Sequence, residues 1–395
     1  MKKIFAITLA LLMLVSVTAV FSSCGLTDDG FKLGVICLHD EKSTYDLNFI
    51  EAVERAAEEL GLEDDQVIFK KNVPESEECY NAAADLVDQG CDVVFANSFG
   101  HESFIIKAAR EFTDVQFCHA TGTMAHTEKL DNFHNAFASI YEGRYLVGVA
   151  AGLKLKEMMD ADNTVVPKIG YVGAFPYAEV ISGYTSYYLG VKSIVEDVTM
   201  KVQFTGSWYD EAKEKNAALN LINKEGCVLI SQHADSMGAP SACEENNVPN
   251  VSYNGSTVGA CPKTFIVSSK IDWTPYFKLI CEKVMNDEAI PTDYTGTIET
   301  GSVALTAVNP NAAAEGTQAK LDEVKADLIS GKIKVFDTKN FTVGGKTLTE
   351  YMADVDTDDK FTPDKNAISG GYFHESEYRS APYFDIAIDG ITKLN

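Results

Sequence analysis

Short runs of apolar residues alternate along the chain with longer segments in which apolar residues recur at helical spacing. The first apolar run covers 32–38 (KLGVICL), and in the segment after it Phe49, Val53 and Leu60 recur with that spacing. Further strands are predicted at 66–70, 92–96, 115–119, 168–173, 201–205, 227–231 and 264–269. Helices are predicted at 47–60, 77–89, 103–111, 143–159, 180–195, 211–224 and 237–246. Continuous apolar strands between amphipathic helices indicate parallel sheets covered by helices on both faces.

The alternation falls into two series, one ending near residue 119 and one beginning near residue 143. A chain of 395 residues also exceeds what a single hydrophobic core usually supports. The sequence therefore predicts an α/β protein with two doubly wound lobes. Open α/β sheets bind ligands beyond the carboxyl ends of their strands, so the residues that follow the predicted strands are candidate ligand-facing residues.

Aromatic, carboxylate and amide side chains are concentrated directly after the predicted strands. In the first series these positions hold His39, Asp40, Ser43, Tyr45, Asp46, Asn48, Asn97, Ser98, Phe99, Gly100, His101, Thr121 and Gly122. In the second series they hold Phe175, Trp208, Tyr209, His233, Asp235, Ser236, Lys270, Asp272 and Trp273. Rings stack on the faces of a flat ligand, and carboxylates and amides bind its edge. The pattern therefore favours a flat ligand with a polar rim.

The charge balance excludes some classes of partner. The chain has 33 Lys and Arg residues against 58 Asp and Glu residues, which gives a formal net charge of −25. A surface this acidic repels phosphate backbones and anionic lipid head groups. Nucleic-acid binding is therefore not expected.

Residues 1–23 are predicted to be a secretion signal, because a short basic start precedes an uncharged, mostly apolar segment over 4–20. The four residues that end at Cys24 (FSSC) resemble a bacterial lipobox, which implies cleavage before Cys24 and lipidation of its thiol. Residues 24–30 then form a short tether on the extracytoplasmic side of the cell membrane. The alternative is an uncleaved membrane anchor, since the apolar stretch is near the lower limit for a span.

The other cysteines are scattered, without C-x-x-C spacing and without a histidine cluster at the spacing of a zinc site. Cys37, Cys118 and Cys227 lie within apolar runs, which predicts buried free thiols. Cys243 with Cys261 is the pairing left open. The sequence predicts neither a metal ion nor a cofactor.

Three neighbouring residues, His233, Asp235 and Ser236, have the side-chain types of a hydrolase triad. They are too close in sequence for the usual relay, and the chain has no G-x-S-x-G turn. An enzyme is therefore not expected.

Several stretches together resemble the basic membrane protein family of substrate-binding lipoproteins, and in particular its purine-binding branch. The most distinctive is IGYVGAFPYAEVISGYTSYYLG at 169–190. The others are LHDEKSTYDLNF at 38–49, ANSFG at 96–100, YEGRYLVGVAAG at 141–152, GSWYDEAKEKNAA at 206–218 and ISQHADS at 230–236. The resemblance covers nearly all of residues 31–300 in order.

The resemblance implies a type I periplasmic-binding-protein fold, with a hinge and crossovers between the lobes. It implies one lobe at 31–138 and 270–300, and a second lobe with a C-terminal extension at 139–269 and 301–395. It also implies the substrate-binding component of an ABC importer, whose permease and ATPase are separate chains. The implied ligand is a purine nucleobase or nucleoside. The stretch 253–262 (YNGSTVGACP) lacks an acidic residue that many relatives carry there and that would suit ribose hydroxyls, which favours the free base.

The resemblance further implies roles for residues in the cleft. Trp208 corresponds to the stacking aromatic residue of the family, and Asp235 to the acid after a strand of the second lobe. Lys270 and Trp273 fall where the family closes the cleft. Together with residues chosen from strand ends, the predicted ligand-binding set is Asp40, Tyr45, Asn48, Phe99, Phe175, Trp208, Asp235, Lys270 and Trp273. The alternatives are a ligand-sensing surface protein for another small molecule and, less favoured, a secreted nucleoside hydrolase.

Overall fold

The computed structural model describes residues 30–355, 360 and 362–395. The predicted signal at 1–23, the lipidation site Cys24 and the tether up to residue 29 lie outside the described residues. None of the helices in the described ranges combines the length and the apolar character needed to span a bilayer.

Strands and helices are labelled here in chain order. The strands are β1 Leu33–Ile36, β2 Val67–Lys70, β3 Val93–Ala96, β4 Gln116–Ala120, β5 Phe133–Ala138, β6 Lys168–Gly173, β7 Thr199–Phe204, β8 Leu229–Gln232, β9 Asn250–Tyr253, β10 Phe265–Ile271, β11 Asp293–Gly296, β12 Val303–Leu305, β13 Met352–Ala353, β14 Lys365–Asn366, β15 Ile368–Ser369, β16 Tyr372–Phe373 and β17 Ile391–Lys393. The α-helices are α1 Thr44–Leu60, α2 Glu77–Asp88, α3 Glu102–Glu111, α4 Ala125–Glu128, α5 Ile140–Ala161, α6 Ala178–Lys192, α7 Glu211–Asn223, α8 Gly238–Asn246, α9 Thr274–Met285 and α10 Thr317–Ile329. Short 3₁₀ turns lie at Asp64–Gln66 and Phe99–His101.

The first sheet is entirely parallel and has the strand order β11-β5-β4-β3-β1-β2. Alternate strand residues point to opposite faces, so Val35 packs towards α1 and α9 while Ile36 packs towards α2 and α3. This sheet and its helices form lobe 1. The doubly wound arrangement predicted from the alternation is confirmed for this part of the chain.

The second sheet has the strand order β12-β10-β9-β8-β6-β7-β17. Its strands are parallel except for β12, which pairs antiparallel with β10. Tyr171 faces α5 and α6, whereas Val172 faces α7 and α8. This sheet and its helices form lobe 2, and its outer edge is completed by β17 near the end of the sequence.

The chain passes between the lobes at three places. It enters lobe 2 between β5 and α5, because α5 packs against α6 and β10. It returns after β10, because α9 packs against α1 and β3. It crosses again between β11, which extends the first sheet, and β12, which extends the second.

Helix α1 begins three residues before the predicted start at 47. Ser43 is its N-cap residue, and the Ser43 side chain accepts a hydrogen bond from the backbone N–H of Asp46 at 3.2 Å. The helix ends at Gly61, which adopts the left-handed conformation with φ of 70°. As a result, Tyr45, Asp46 and Asn48 lie on the first turns of a helix rather than in a loop.

Helices α5 and α6 approach each other closely through two glycines. A Cβ atom at Gly148 would lie 2.2 Å from the carbonyl oxygen of Tyr187, and one at Gly190 would lie 2.2 Å from that of Tyr145. These contacts leave no room for a side chain at either position. The two helices that carry the most distinctive sequence stretches are therefore held backbone to backbone.

The cysteines of the described chain are all free and buried, as predicted. Cys243 and Cys261, the pairing left open, are among these free thiols and do not form a disulfide. Burial raises the pKa of Cys118 to about 12, so this thiol stays protonated and packs as a small apolar group.

Candidate functional site

A cavity lies between the lobes, beyond the carboxyl ends of strands from both sheets. Lobe 1 contributes Leu38, His39, Tyr45, Asp46, Ser98, Phe99 and Thr121 to its lining. Lobe 2 contributes Glu179, Trp208, His233, Asp235, Tyr253 and Asn254.

One wall of the cavity is aromatic. Trp208, in the loop after β7, meets the ring of Phe175 edge-on with a centroid distance of 5.2 Å. Phe175 stacks on Tyr177 at 5.2 Å and an interplanar angle of 17°. Tyr177 in turn contacts Phe99 of lobe 1 at 5.3 Å. Phe99 and Tyr177 are 41% and 42% exposed, so this contact between the lobes lies at the mouth of the cavity.

The backbone of Asp235 links the two lobes. Its N–H donates to the carbonyl oxygen of Trp208 at 3.0 Å, which holds the loops after β7 and β8 together. Its carbonyl oxygen accepts from both the backbone N–H and the hydroxyl of Thr44, each at 3.1 Å. Because Thr44 begins α1 in lobe 1, these two bonds form only when the lobes are close together.

The carboxyl group of Asp235 is buried at the floor of the cavity. Its Oδ1 accepts a hydrogen bond from Nδ2 of Asn254 at 3.1 Å. Burial raises the pKa of Asp235 well above its usual value, and the negative charges of Glu214, Asp46 and Glu179 raise it further. A ligand that donates a hydrogen bond to Asp235 would favour the charged form that burial disfavours.

Asp46 lies opposite, on the first turn of α1. Its Oδ1 accepts from the backbone N–H of His39 at 3.1 Å and from Nδ2 of Asn97 at 2.8 Å. Burial alone would raise the pKa of Asp46, but hydrogen bonds from His39, Asn97 and Ser43 outweigh it and lower the pKa. Asp46 is therefore an ionised group that organises the lobe 1 loops.

Acidic side chains line the cavity, and the permanently cationic side chains of the described chain do not. Asp46, Glu179 and Asp235 line it, and among its described lining residues there is neither Lys nor Arg. The described chain also has no group of three or more His, Cys, Asp or Glu side chains arranged to hold a metal ion. The cavity therefore suits a neutral or cationic ligand that donates hydrogen bonds, and it disfavours phosphates and carboxylates.

Four of the predicted site residues meet at this cavity: Tyr45, Phe99, Trp208 and Asp235. Phe175 lies beside it and supports Trp208. Tyr45 is fixed by a hydrogen bond from its hydroxyl to the carbonyl oxygen of Asn97 at 2.6 Å.

Trp273 lies away from the cavity, in the core of lobe 1. It is 1% exposed and stacks on Phe49 at 4.5 Å and 25°. The reason is that α9 begins at the next residue and turns the indole inwards against Phe95 and Phe137. The structure thus places Trp273 in core packing rather than in the cleft.

Three other predicted residues also lie outside the cavity lining. Asn48 donates from Nδ2 to the carbonyl oxygen of Ile271 at 2.6 Å, which ties α1 to the end of β10. Asp40 accepts from the backbone N–H of Lys42 at 3.1 Å within a turn. Lys270 belongs to β10, where it pairs with Ala304 of β12. The side chains of Asn48 and Asp40 thus stabilise a crossover and a turn around the site.

Glu179, Tyr253 and Asn254 line the cavity but are not among the predicted residues. Tyr253 ends β9 and Asn254 follows it, and this strand is too short and too polar to be recognised from its own pattern. The usable signal is the run VSY at 251–253, which lies between Pro249 and the turn sequence NGS. Glu179 stands on the first turn of α6 instead of at a strand end, so the strand-end rule does not select it.

Comparison with protein families gives one model that matches residues 35–339, the model of PnrA-like ABC transporter substrate-binding proteins. A purine-binding protein of Brucella abortus is 31% identical over 212 residues, which are 54% of this chain and 57% of that protein. A Haloferax volcanii protein whose name proposes glucose binding for an ABC transporter is 32% identical over 224 residues, which are 57% of this chain and 54% of that protein. The chain thus spans about half the length of the curated relatives it matches.

Among solved structures, an ABC transporter solute-binding protein of Aeropyrum pernix superposes with a TM-score of 0.65 at 17% sequence identity. The superposition covers 78% of this chain and 93% of that one. At this identity the likeness concerns the fold, which is that of the periplasmic binding proteins, as the resemblance implied.

Proposed function

Because this chain belongs to the family of PnrA-like ABC transporter substrate-binding proteins, we propose that it captures a purine nucleobase or nucleoside in the cavity between its lobes and delivers it to an ABC permease. The observation that carries the proposal is the pairing of the aromatic wall at Trp208 with the buried acid at Asp235 in one small cavity. The purine-binding relative from Brucella abortus adds support.

A purine matches the two kinds of surface that the cavity offers. Its flat faces stack on aromatic rings such as Trp208, a contact worth about 1–3 kcal/mol per base in single-stranded nucleic-acid complexes. Its N–H groups donate to carboxylates, and each buried hydrogen bond to a charged group contributes about 1.5–3 kcal/mol. A neutral base or nucleoside also avoids the repulsion that the acidic lining imposes on phosphates.

Capture is proposed to close the lobes on the ligand. Contacts between the lobes surround the cavity, through the bonds of Thr44 to Asp235 and the ring contact of Phe99 with Tyr177. Opening at the three crossovers exposes the cavity, and a ligand bound to both lobes favours the closed state. The family comprises binding proteins rather than enzymes, so the ligand is released unchanged.

We also propose that the protein is a lipoprotein held at the extracytoplasmic face of the cell membrane through Cys24. Support comes from the lipobox-like residues FSSC and the apolar segment before them. Metabolic labelling with a fatty-acid analogue tests this. Label is expected on the wild type and not on Cys24→Ser, and equal labelling of both would contradict it.

A ligand screen tests the proposed function. Purified protein is heated with adenine, guanine, hypoxanthine, xanthine and their nucleosides, and with glucose and amino acids as comparison ligands. A ligand at 100 times its dissociation constant stabilises the folded protein by about 2.7 kcal/mol, which raises the unfolding temperature measurably. Hits confined to glucose, other sugars or amino acids would overturn the purine assignment.

Glucose is the second candidate ligand, because the Haloferax volcanii relative is proposed to bind it. Sugar hydroxyls donate to carboxylates, and sugar faces pack on aromatic rings, so the residues that line the cavity could also bind glucose. The screen separates the two candidates directly. Analysis of a nucleoside after incubation with the protein tests the hydrolase alternative, which predicts that the nucleoside is converted to its base.

A further inference from the structure

Arg144 is a fully buried cation next to the cavity-lining ring of Tyr253, whose centre lies 5.2 Å from the guanidinium carbon. Its Nη1 donates to the carbonyl oxygen of Ser252 at 2.9 Å, and its Nη2 donates to the hydroxyl of Ser231 at 2.8 Å. Its hydrogen-bond partners within the described chain are all neutral oxygen atoms. The positive charge is therefore not neutralised by a direct carboxylate partner.

A line of hydrogen bonds leads from Arg144 to the cavity. Its Nη2 donates to the hydroxyl of Tyr171 at 3.1 Å, and the same hydroxyl lies 3.1 Å from Nδ1 of His233. A guanidinium only donates, so the tyrosine oxygen accepts from Arg144. At the other end, the carboxylate of Glu179 only accepts, so His233 carries a proton on Nε2, which lies 3.0 Å from Oε1 of Glu179. In a neutral imidazole Nδ1 is then the acceptor, and the Tyr171 hydroxyl donates to it. In each of these hydrogen bonds the donor is therefore on the Arg144 side and the acceptor on the Glu179 side.

Glu179 is the last residue of this series of hydrogen bonds, and it lines the cavity. It lies on the first turn of α6, where the helix N-terminus favours a negative charge. Its side chain is 16% exposed and lines the cavity beside Asp235 and Trp208. Oε1 is occupied by His233, whereas Oε2 accepts no hydrogen bond from the described chain.

The hydrogen bond to His233 does not require the charge of Glu179. A glutamine oxygen would satisfy Nε2 of His233 equally well. The carboxylate instead faces Asp46 and Asp235 across the cavity, and its charge contributes to raising the pKa of Asp235. An acid that is held in one orientation at a ligand cavity, with one oxygen that accepts no bond from the described chain, indicates a role in binding.

We propose that Glu179 determines ligand specificity, by accepting a hydrogen bond from a ring or exocyclic N–H of the ligand while His233, Tyr171 and Arg144 hold it in place. This inference rests on the proposed function. A carboxylate is an acceptor only, so a ligand with a donor at that edge is bound, and one with a lone pair or a methyl group there is rejected. Tyr171, His233 and Arg144 are positioning residues.

Calorimetry of the Glu179→Gln variant with the tightest-binding purine tests the specificity role. The variant is expected to bind about tenfold to a hundredfold more weakly, the range for losing one hydrogen bond to a charged group. Glu211→Gln removes the same charge from an exposed site on α7 and is expected to bind like the wild type. Equal affinity of Glu179→Gln and wild type would overturn the inference.

Binding of N-methylated purines then identifies the ligand nitrogen that donates to Glu179. One methylated position is expected to weaken binding to the wild type but not to Glu179→Gln, because the partner is already missing there. Independent losses for every methylated purine would overturn the inference. Failure of the wild type to bind any purine would instead refute the proposed function, so the two failures are distinguishable.

Tyr171→Phe tests the positioning line without touching the cavity. In the wild type, ¹⁵N chemical shifts are expected to show His233 protonated on Nε2 and not on Nδ1. Removing the hydroxyl is expected to mix the two tautomers and to weaken purine binding severalfold, and to lower the unfolding temperature somewhat because Nδ1 of the buried His233 loses its partner. An unchanged tautomer with unchanged affinity would remove Tyr171 and Arg144 from the proposal.

Discussion

The backbone N–H of Asp235 donates to the carbonyl oxygen of Trp208 at 3.0 Å. This bond joins the loop that carries the aromatic wall to the loop that carries the buried acid. The carbonyl of the same Asp235 accepts two bonds from Thr44 of lobe 1. The groups proposed to stack on the ligand and to bind its edge are thus coupled to each other and to closure of the lobes.

Trp208→Ala removes the aromatic face of the cavity. Purine affinity is expected to fall about fivefold to a hundredfold, in line with about 1–3 kcal/mol for a base stacked on an aromatic ring. The indole is only partly buried, so thermal unfolding of the variant is expected to stay close to that of the wild type. Titration calorimetry that showed unchanged affinity would remove Trp208 from the site.

Addition of a phosphate to the ligand is expected to abolish binding. The lining offers Asp46, Glu179 and Asp235 and, within the described residues, neither Lys nor Arg to receive the phosphate. Competition between a nucleoside and its 5′-monophosphate for the protein measures this effect. Comparable affinities for the two ligands would contradict the electrostatic description of the cavity.

Stability is expected to fall as the pH rises, in part because of Glu214. Burial raises the pKa of Glu214 from its usual 4.5 to about 7, although backbone N–H groups of Asp210 and Ser236 donate to it. Above pH 4.5 the unfolded chain has released a proton that the folded protein keeps until about pH 7. The folded state is therefore favoured at low pH, and this contribution is lost as the pH rises to about 7.

Urea unfolding at about pH 5 and pH 8 measures the effect. The decrease in the free energy of unfolding between these values should be about 2 kcal/mol smaller in Glu214→Gln than in the wild type. The exposed Glu211→Gln on the same helix should retain the full decrease. The same pH dependence in all three proteins would show that Glu214 titrates normally.

Gly148→Ala should destabilise lobe 2 by about 1–3 kcal/mol, the usual range for overpacking. The new methyl group would lie 2.2 Å from the carbonyl oxygen of Tyr187 and would force α5 and α6 apart. Gly259→Ala is the matched control, because a Cβ there has no neighbour within 4 Å. Equal unfolding temperatures for the two variants would show that α5 and α6 can move apart without loss of stability.

The position of a residue after a strand is predictable from sequence, but its orientation is not. Trp208 and Trp273 both follow predicted strands, and the local pattern does not distinguish them. Trp208 lines the cavity whereas Trp273 lies in the core, because α9 starts directly after Trp273 and packs it against Phe49 and Phe95, which are far away in sequence. That contact depends on the return of the chain to lobe 1.

Residues on helices and on weak strands are also difficult to predict. Glu179 reaches the cavity because α6 starts beside it, and it is oriented by His233, which lies 54 residues further along the chain. Tyr253 is the last residue of a four-residue strand that is held in the sheet by its neighbours β8 and β10. Periodicity identifies long elements with a continuous apolar face, whereas pairings between distant segments appear only in the folded chain.

A crystal structure of the protein with its tightest-binding purine tests capture between the lobes most directly. The ring system is expected to lie in the cavity between the lobes, with one face on Trp208 and its N–H groups directed at Asp235 or Glu179. A purine bound outside that cavity, or bound within it without contact to Trp208 and to either acid, would refute the proposed mode of binding.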